Sequence, residues 1–155
     1  MRTTVDLAGQ WVWSVDVDGP TPVPDEAAPL VGASFAAQGP GALHADLQTA
    51  GVIPDPLVDR NEELVAWVSR CDWRLGRSFS AAREAERIEL VFDGIDTVAS
   101  VSVNGHSVGS TRNMHRSYRF DITSIATEEN AIDVRFTSPY TEAEHWERVL
   151  GARPS

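Results

Sequence analysis

Five tryptophans, four histidines, one cysteine and 23 acidic side chains are the residues of this chain that could do chemistry. Indole faces stack on the apolar faces of sugars, so tryptophans with polar neighbours invite a carbohydrate reading. Trp11, Trp13 and Trp73 fall on the inward positions of alternating runs, where core packing explains them better. Trp67 follows the polar run Arg60-Asn61-Glu62-Glu63 and could face a ligand or a neighbouring domain. Asn61 has two readings, a helix cap and a ligand contact, of which the cap is the simpler.

Other chemistries find little support. No Gly-x-Gly-x-x-Gly or P-loop stands between a strand and a helix, and no Gly-x-Ser-x-Gly elbow is present. Cys71 lies between Arg70 and Asp72 with no histidine nearby in sequence, which reads as a structural thiol. His44 and Asp46 are two apart and His106 and His115 flank a hairpin, so no pair has the spacing of a helical His-x-x-x-His metal site. Neither a metal nor a cofactor is expected. A glycosidase-type carboxylate pair is recognisable only in three dimensions.

The chain that positions these residues has 155 of them, 42% hydrophobic and 23% charged, the make-up of one packed domain. Its formal net charge of −10 repels phosphate backbones and anionic headgroups, so nucleic acid and membrane surfaces are poor partners. No run of about 18 apolar residues occurs. The opening Met1-Arg2-Thr3-Thr4-Val5-Asp6-Leu7 meets an acid before an apolar run of signal-peptide length, and a cytoplasmic protein is expected.

Alternation of Trp11, Trp13, Val15 and Val17 with Val12, Ser14, Asp16 and Asp18 predicts an opening strand. Residues 19–41 carry Pro20, Pro22, Pro24, Pro29 and Pro40, which predicts a long irregular connection. Leu43, Leu47 and Ala50 ahead of Gly51 predict a short helix. A second is predicted from Asn61, with Leu64, Trp67 and Val68 on one face. From Trp73 the period becomes two. Alternating runs at Trp73–Phe79, Ile88–Phe92, Ala99–Val103, His106–Val108, Tyr118–Ile122 and Ile132–Phe136 follow, and Asn104-Gly105 marks a tight hairpin. At least six short strands describe an all-β antiparallel sandwich with a few short helices. Thr141-Glu142-Ala143-Glu144 reads as a capping box opening a last helix with Trp146, Val149 and Leu150. A capped helix with no strand after it is expected to belong to a longer protein, which divides the chain into a sandwich over 1–140 and the start of a connecting helix over 141–155.

Several segments together resemble the N-terminal domain of β-mannosidases of glycoside hydrolase family 2. They are Leu7-Ala8-Gly9-Gln10-Trp11, Gly39-Pro40-Gly41 through Asp46-Leu47, Ala50-Gly51-Val52-Ile53-Pro54-Asp55-Pro56, Asn61-Glu62 with Trp67, Asp72-Trp73, Phe92-Asp93-Gly94 through Asn104-Gly105, and Asn113-Met114-His115-Arg116 through Asp121. Arg60 stands where the family has Asp, and His115 and Ser117 where Phe and Pro are common. The resemblance implies a jelly-roll sandwich of the galactose-binding-domain type, set ahead of an immunoglobulin-like sandwich and a barrel that carries both catalytic glutamates. It implies that family members run on to a Trp-Asp-Trp-Gly-Pro segment that supplies sugar contacts. On that reading the chain has no catalytic residue of its own. Asn61, Glu62, Trp67 and Asp72 are the candidates for the substrate side or the domain interface. The implied partners are the remaining domains of the parent enzyme and a terminal mannoside. A stand-alone carbohydrate-binding module, or the same domain from a β-galactosidase or β-glucuronidase, are the alternatives.

Overall fold

Trp11, Trp13 and Val15 are buried along β1 (Gly9–Val15) while Gln10 and Val12 face outward, so the alternation read from sequence is the alternation of the sheet. The strand stops at Val15, and Val17, expected to continue the inward face, is 55% exposed. The structure is a computed structural model that describes residues 3–81 and 85–151.

Within residues 19–41 the chain forms a 3-10 turn at Ala28–Leu30 and then β2 (Phe35–Gly39), so the expected irregular connection contains a strand. After α1 (Leu43–Thr49) and α2 (Asn61–Val65) come β3 (Trp73–Ser80), β4 (Glu89–Phe92), β5 (Ala99–Val103), β6 (His106–Thr111), β7 (Tyr118–Asp121), β8 (Glu129–Phe136) and α3 (Pro139–Leu150). Six strands make one antiparallel sheet in the order β2-β1-β3-β8-β5-β6, and β4 pairs antiparallel with β7 in a second. The fold is the all-β sandwich with short helices that the sequence predicts.

Trp13, Trp73, Ile132, Val134, Val101 and Val103 face Leu90, Ile122, Leu47, Val65 and Val68 in one core. Burying each aliphatic side chain contributes about 1.5–3 kcal/mol. A buried indole N–H needs an acceptor, and each core tryptophan has one. Trp13 donates to the Asp46 carboxylate at 2.9 Å, Trp73 to the Val68 carbonyl at 2.9 Å, and Trp11 to the Leu7 carbonyl at 2.9 Å.

The outer face of the large sheet is polar. Arg74 and Arg135 stand directly opposite each other on β3 and β8, a like-charge pair that would be repulsive alone. Asp133 holds both, accepting from Arg74 Nε at 2.6 Å and from Arg135 Nε at 3.2 Å. Asn104 (φ 52°) and Gly105 (φ 79°) turn the β5–β6 hairpin as predicted, and Asn104 Nδ2 also donates to the Ile125 carbonyl at 2.9 Å. α3 begins at Pro139 with the Ser138 hydroxyl as its cap, so Ser138-Pro139, and not a capping box from Thr141, starts this helix. Among the described residues no helix is long and apolar enough to cross a membrane.

Candidate functional site

Gly51, at φ +72°, ends α1 and turns the chain into Val52 and the buried Ile53. Pro54-Asp55-Pro56 follows, and its geometry is set by hydrogen bonds around Asp55. The Asp55 carboxylate accepts from Leu57 N at 2.9 Å, and its carbonyl accepts from Asn61 Nδ2 at 2.9 Å. Asn61 N donates to the Val58 carbonyl at 3.1 Å, closing the turn. Asn61 is therefore not the cap of α2: Arg60 holds that position without a side-chain bond, and the Asn61 amide braces the preceding turn. The reason is that Asp55 offers a carbonyl within reach of Asn61, and satisfying a backbone acceptor outcompetes capping.

α2 passes into a 3-10 turn, Ala66–Arg70, that leads to β3. Val65 and Val68 point into the core, whereas Leu64, expected on the same face, is 65% exposed. Shortening from α to 3-10 rotates the face, so a helical wheel drawn through Trp67 misplaces Leu64. Trp67 is half-buried and packs on the core, its ring 6.2 Å from that of Trp73. Glu62 is exposed. The structure thus places Asn61, Glu62 and Trp67 together on one outer segment of the fold.

Asp72 is placed differently. It is 1% exposed, and its carboxylate accepts from Thr21 N at 3.0 Å, from the Thr21 hydroxyl and from Ser138 N at 2.7 Å. It sits at a cleft of about 220 Å³ that Asp16, Asp18, Gly19 and Arg135 also line. Arg135 Nη1 lies 3.4 Å from the carboxylate of Asp16, which is 4% exposed, and 3.7 Å from that of Asp18. Here the sequence reading missed a cluster, and only the parity of Asp16 and Asp18 on a strand end hinted at it. The carboxylates of Asp16 and Asp72 are engaged by fixed donors, an arrangement that ties segments together.

Burial pushes the Cys71 thiol up to about 11, with the charges of Asp72 and Asp16 adding to it. A thiol held so far from its thiolate is no nucleophile at neutral pH. Burial lowers the pKa of His44, which favours the neutral ring. Among the described residues, no three His, Cys, Asp or Glu side chains are grouped to hold a metal ion.

Antiparallel sheets of six and two strands with a few short helices define a β-sandwich domain. Residues 23–154 match the glycosyl hydrolase 2 galactose-binding domain-like family, and the chain belongs to it. The chain is 35% identical over 108 residues to a β-mannosidase of Rattus norvegicus, covering 68% of this chain and 12% of that protein. It is 39% identical over 106 residues to β-mannosidase B of Thermothelomyces thermophilus, covering 66% and 12%. The crystal structure of a β-D-mannosidase from Dictyoglomus thermophilum superposes with a TM-score of 0.80 at 31% identity, over 93% of this chain and 17% of that one. A β-glucuronidase from an uncultured Clostridium species shares the fold at a TM-score of 0.58 and 17% identity, over 88% and 24%. The chain thus spans about an eighth of the length of the curated relatives it matches.

Proposed function

We propose that this chain is the N-terminal domain of an exo-acting β-mannosidase, without catalytic groups of its own, which shapes one wall of the sugar pocket and packs on the catalytic barrel. The observation that carries the reading is the match to the β-D-mannosidase structure over 93% of this chain and only 17% of that one. The β-mannosidases among the relatives support the same substrate class.

Retaining hydrolysis of a glycoside needs an acid/base and a nucleophilic carboxylate about 5 Å apart. The buried acids here are bound into the scaffold, so the parent's remaining length supplies that pair. Asn61, Glu62 and Trp67 form the wall: the indole offers an apolar face to a pyranose, Glu62 accepts from hydroxyls, and Asn61 fixes the turn beside them. Asp72 acts as a positioning residue beneath, holding the start of β3 against Thr21 and Ser138.

A wall contributes affinity only with the groups opposite it. The test is to assay the full-length parent on nitrophenyl β-mannoside, β-galactoside and β-glucuronide. We expect the mannoside to be cleaved fastest, and Trp67→Ala to raise KM more than it lowers kcat. Preference for another glycoside, or saturable mannobiose binding by the 155-residue chain alone at micromolar concentration, overturns the reading; the latter result would make it an independent binding module.

A further inference from the structure

Of the four asparagines in the chain, only Asn104 is followed by a glycine. The pair turns the β5–β6 hairpin, and it is also the sequence most prone to lose its side-chain amide, because glycine puts no side chain over its own nitrogen. In that reaction the Gly105 nitrogen attacks Cγ of Asn104, and the proton it sheds leaves with the amide as ammonia. Water then opens the cyclic imide at either carbonyl. The balance is asparagine plus water to aspartate plus ammonia, the aspartate carrying its ordinary or its isomerised linkage. The two reacting ends are held differently. Gly105 is exposed, and among the described residues its amide donates to no acceptor. The Asn104 carboxamide is gripped at both heteroatoms: Nδ2 donates to the Ile125 carbonyl and to Asn130 Oδ1, each at 2.9 Å, and Oδ1 accepts from Ala131 N at 2.9 Å. To meet the Gly105 nitrogen, Cγ has to swing out of all three bonds.

We propose that Asn104 is a spontaneous deamidation site which the native fold keeps closed, and that its conversion, once an opening event allows it, loosens the corner where β5, β6 and β8 meet. The first half follows from the grip on the carboxamide. The second follows from what surrounds it. Asn130 is 3% exposed and fixed in direction: its Nδ2 donates to the Thr127 carbonyl at 2.8 Å and its Oδ1 accepts from Thr127 N at 2.8 Å. Turning that amide round would set donor against donor and acceptor against acceptor, so Asn130 shows position 104 an oxygen. The Ile125 carbonyl shows it another. A donor is therefore required there, and a carboxylate has none, so aspartate meets two acceptors with a third and a charge. Water is the one co-reactant, and the proposal is independent of the N-terminal-domain reading above.

The experiment begins with the unmodified chain, incubated at mildly alkaline pH either folded or in guanidinium chloride. Mass spectrometry follows the tryptic peptide from Ile88 to Arg112, in which Asn104 is the only asparagine. Three hydrogen bonds of ordinary net strength have to open first, so deamidation is expected to run about 100-fold slower in the folded chain. Equal rates in the two states overturn the proposal. Asn130→Ala, checked as folded by its tryptophan fluorescence, removes one partner and should raise the native rate about fivefold. An unchanged rate in that variant would assign the protection to the turn and not to the carboxamide's bonds, and counts against the proposal. Asn104→Asp reproduces the ordinary product. Its thermal midpoint is expected below that of the wild type, with amide exchange accelerated at Ala131 more than in β1. A midpoint equal to the wild type's refutes the loosening of the corner.

Discussion

The amide of Ser138 donates to the carboxylate of Asp72 at 2.7 Å, and both residues are 1% exposed. Through that bond the cap of α3 is fixed to the start of β3, and the same carboxylate takes the amide and hydroxyl of Thr21. The Ser138 hydroxyl completes the knot by donating to the Ser69 carbonyl at 2.8 Å. Three segments distant in sequence are thus held at one buried acid.

Asp72→Ala leaves the buried Ser138 amide and the partly buried Thr21 amide without an acceptor, and we expect it to destabilise the fold by about 3 kcal/mol. Asp72→Asn retains one oxygen and should cost about half as much. Urea unfolding of the two variants beside the wild type checks the order. Equal losses would mean that the charge, and not the acceptor geometry, holds the knot.

Gly109 and Gly105 separate two reasons for glycine in one hairpin. A Cβ at Gly109 would lie 2.2 Å from the Phe120 ring, while one at Gly105 meets open space but sits at φ +79°. Gly109→Ala should cost about 1–3 kcal/mol by overpacking, and Gly105→Ala about 1 kcal/mol by backbone strain. Adding Phe120→Leu should recover part of the first loss and none of the second. A thermal-melt double-mutant cycle reads this directly.

The period-two runs were legible because each strand buries one face: Ala99, Val101 and Val103 are all buried in β5. β2 escaped notice because its five residues gain their strand only from the edge of β1, with Trp11 opposite Ala37 and Trp13 opposite Phe35, a pairing that local composition opposes. Asn61, Glu62 and Trp67 could be picked out as a local motif. The role of Asp72 could not, because its partners Thr21 and Ser138 lie 51 and 66 residues away. Likewise Leu64 was misread where the α-helix tightens to a 3-10 turn, a change that a single period does not foresee.

Asn61 donates to the Asp55 carbonyl from α2, so Asn61→Ala removes the brace and leaves the fold's core untouched. A net loss of about 1 kcal/mol is expected in global stability. Amide exchange at Leu57 and Val58 should rise more than exchange in β5. Uniform acceleration across both regions would show that the side chain supports the whole domain and not the turn alone.

The Cys71 thiol gives a pH dependence whose sign can be worked out. Burial foremost, then the neighbouring Asp72 and Asp16, raise its folded-state value from 9.0 to about 11. Between those values the folded protein keeps the proton that the unfolded chain has released. The unfolded state then binds fewer protons, so stability falls as pH rises through that interval and is unaffected by this group below it. The chain has no lysine, so no ammonium side chain titrates beside the thiol in that interval. The urea midpoint of the wild type should therefore drop from pH 9 to pH 11, and Cys71→Ala, less stable at pH 7 for its cavity, should show a shallower drop. In the same window iodoacetamide should modify the native thiol far more slowly than the urea-unfolded one, and equal rates would place Cys71 within reach of solvent.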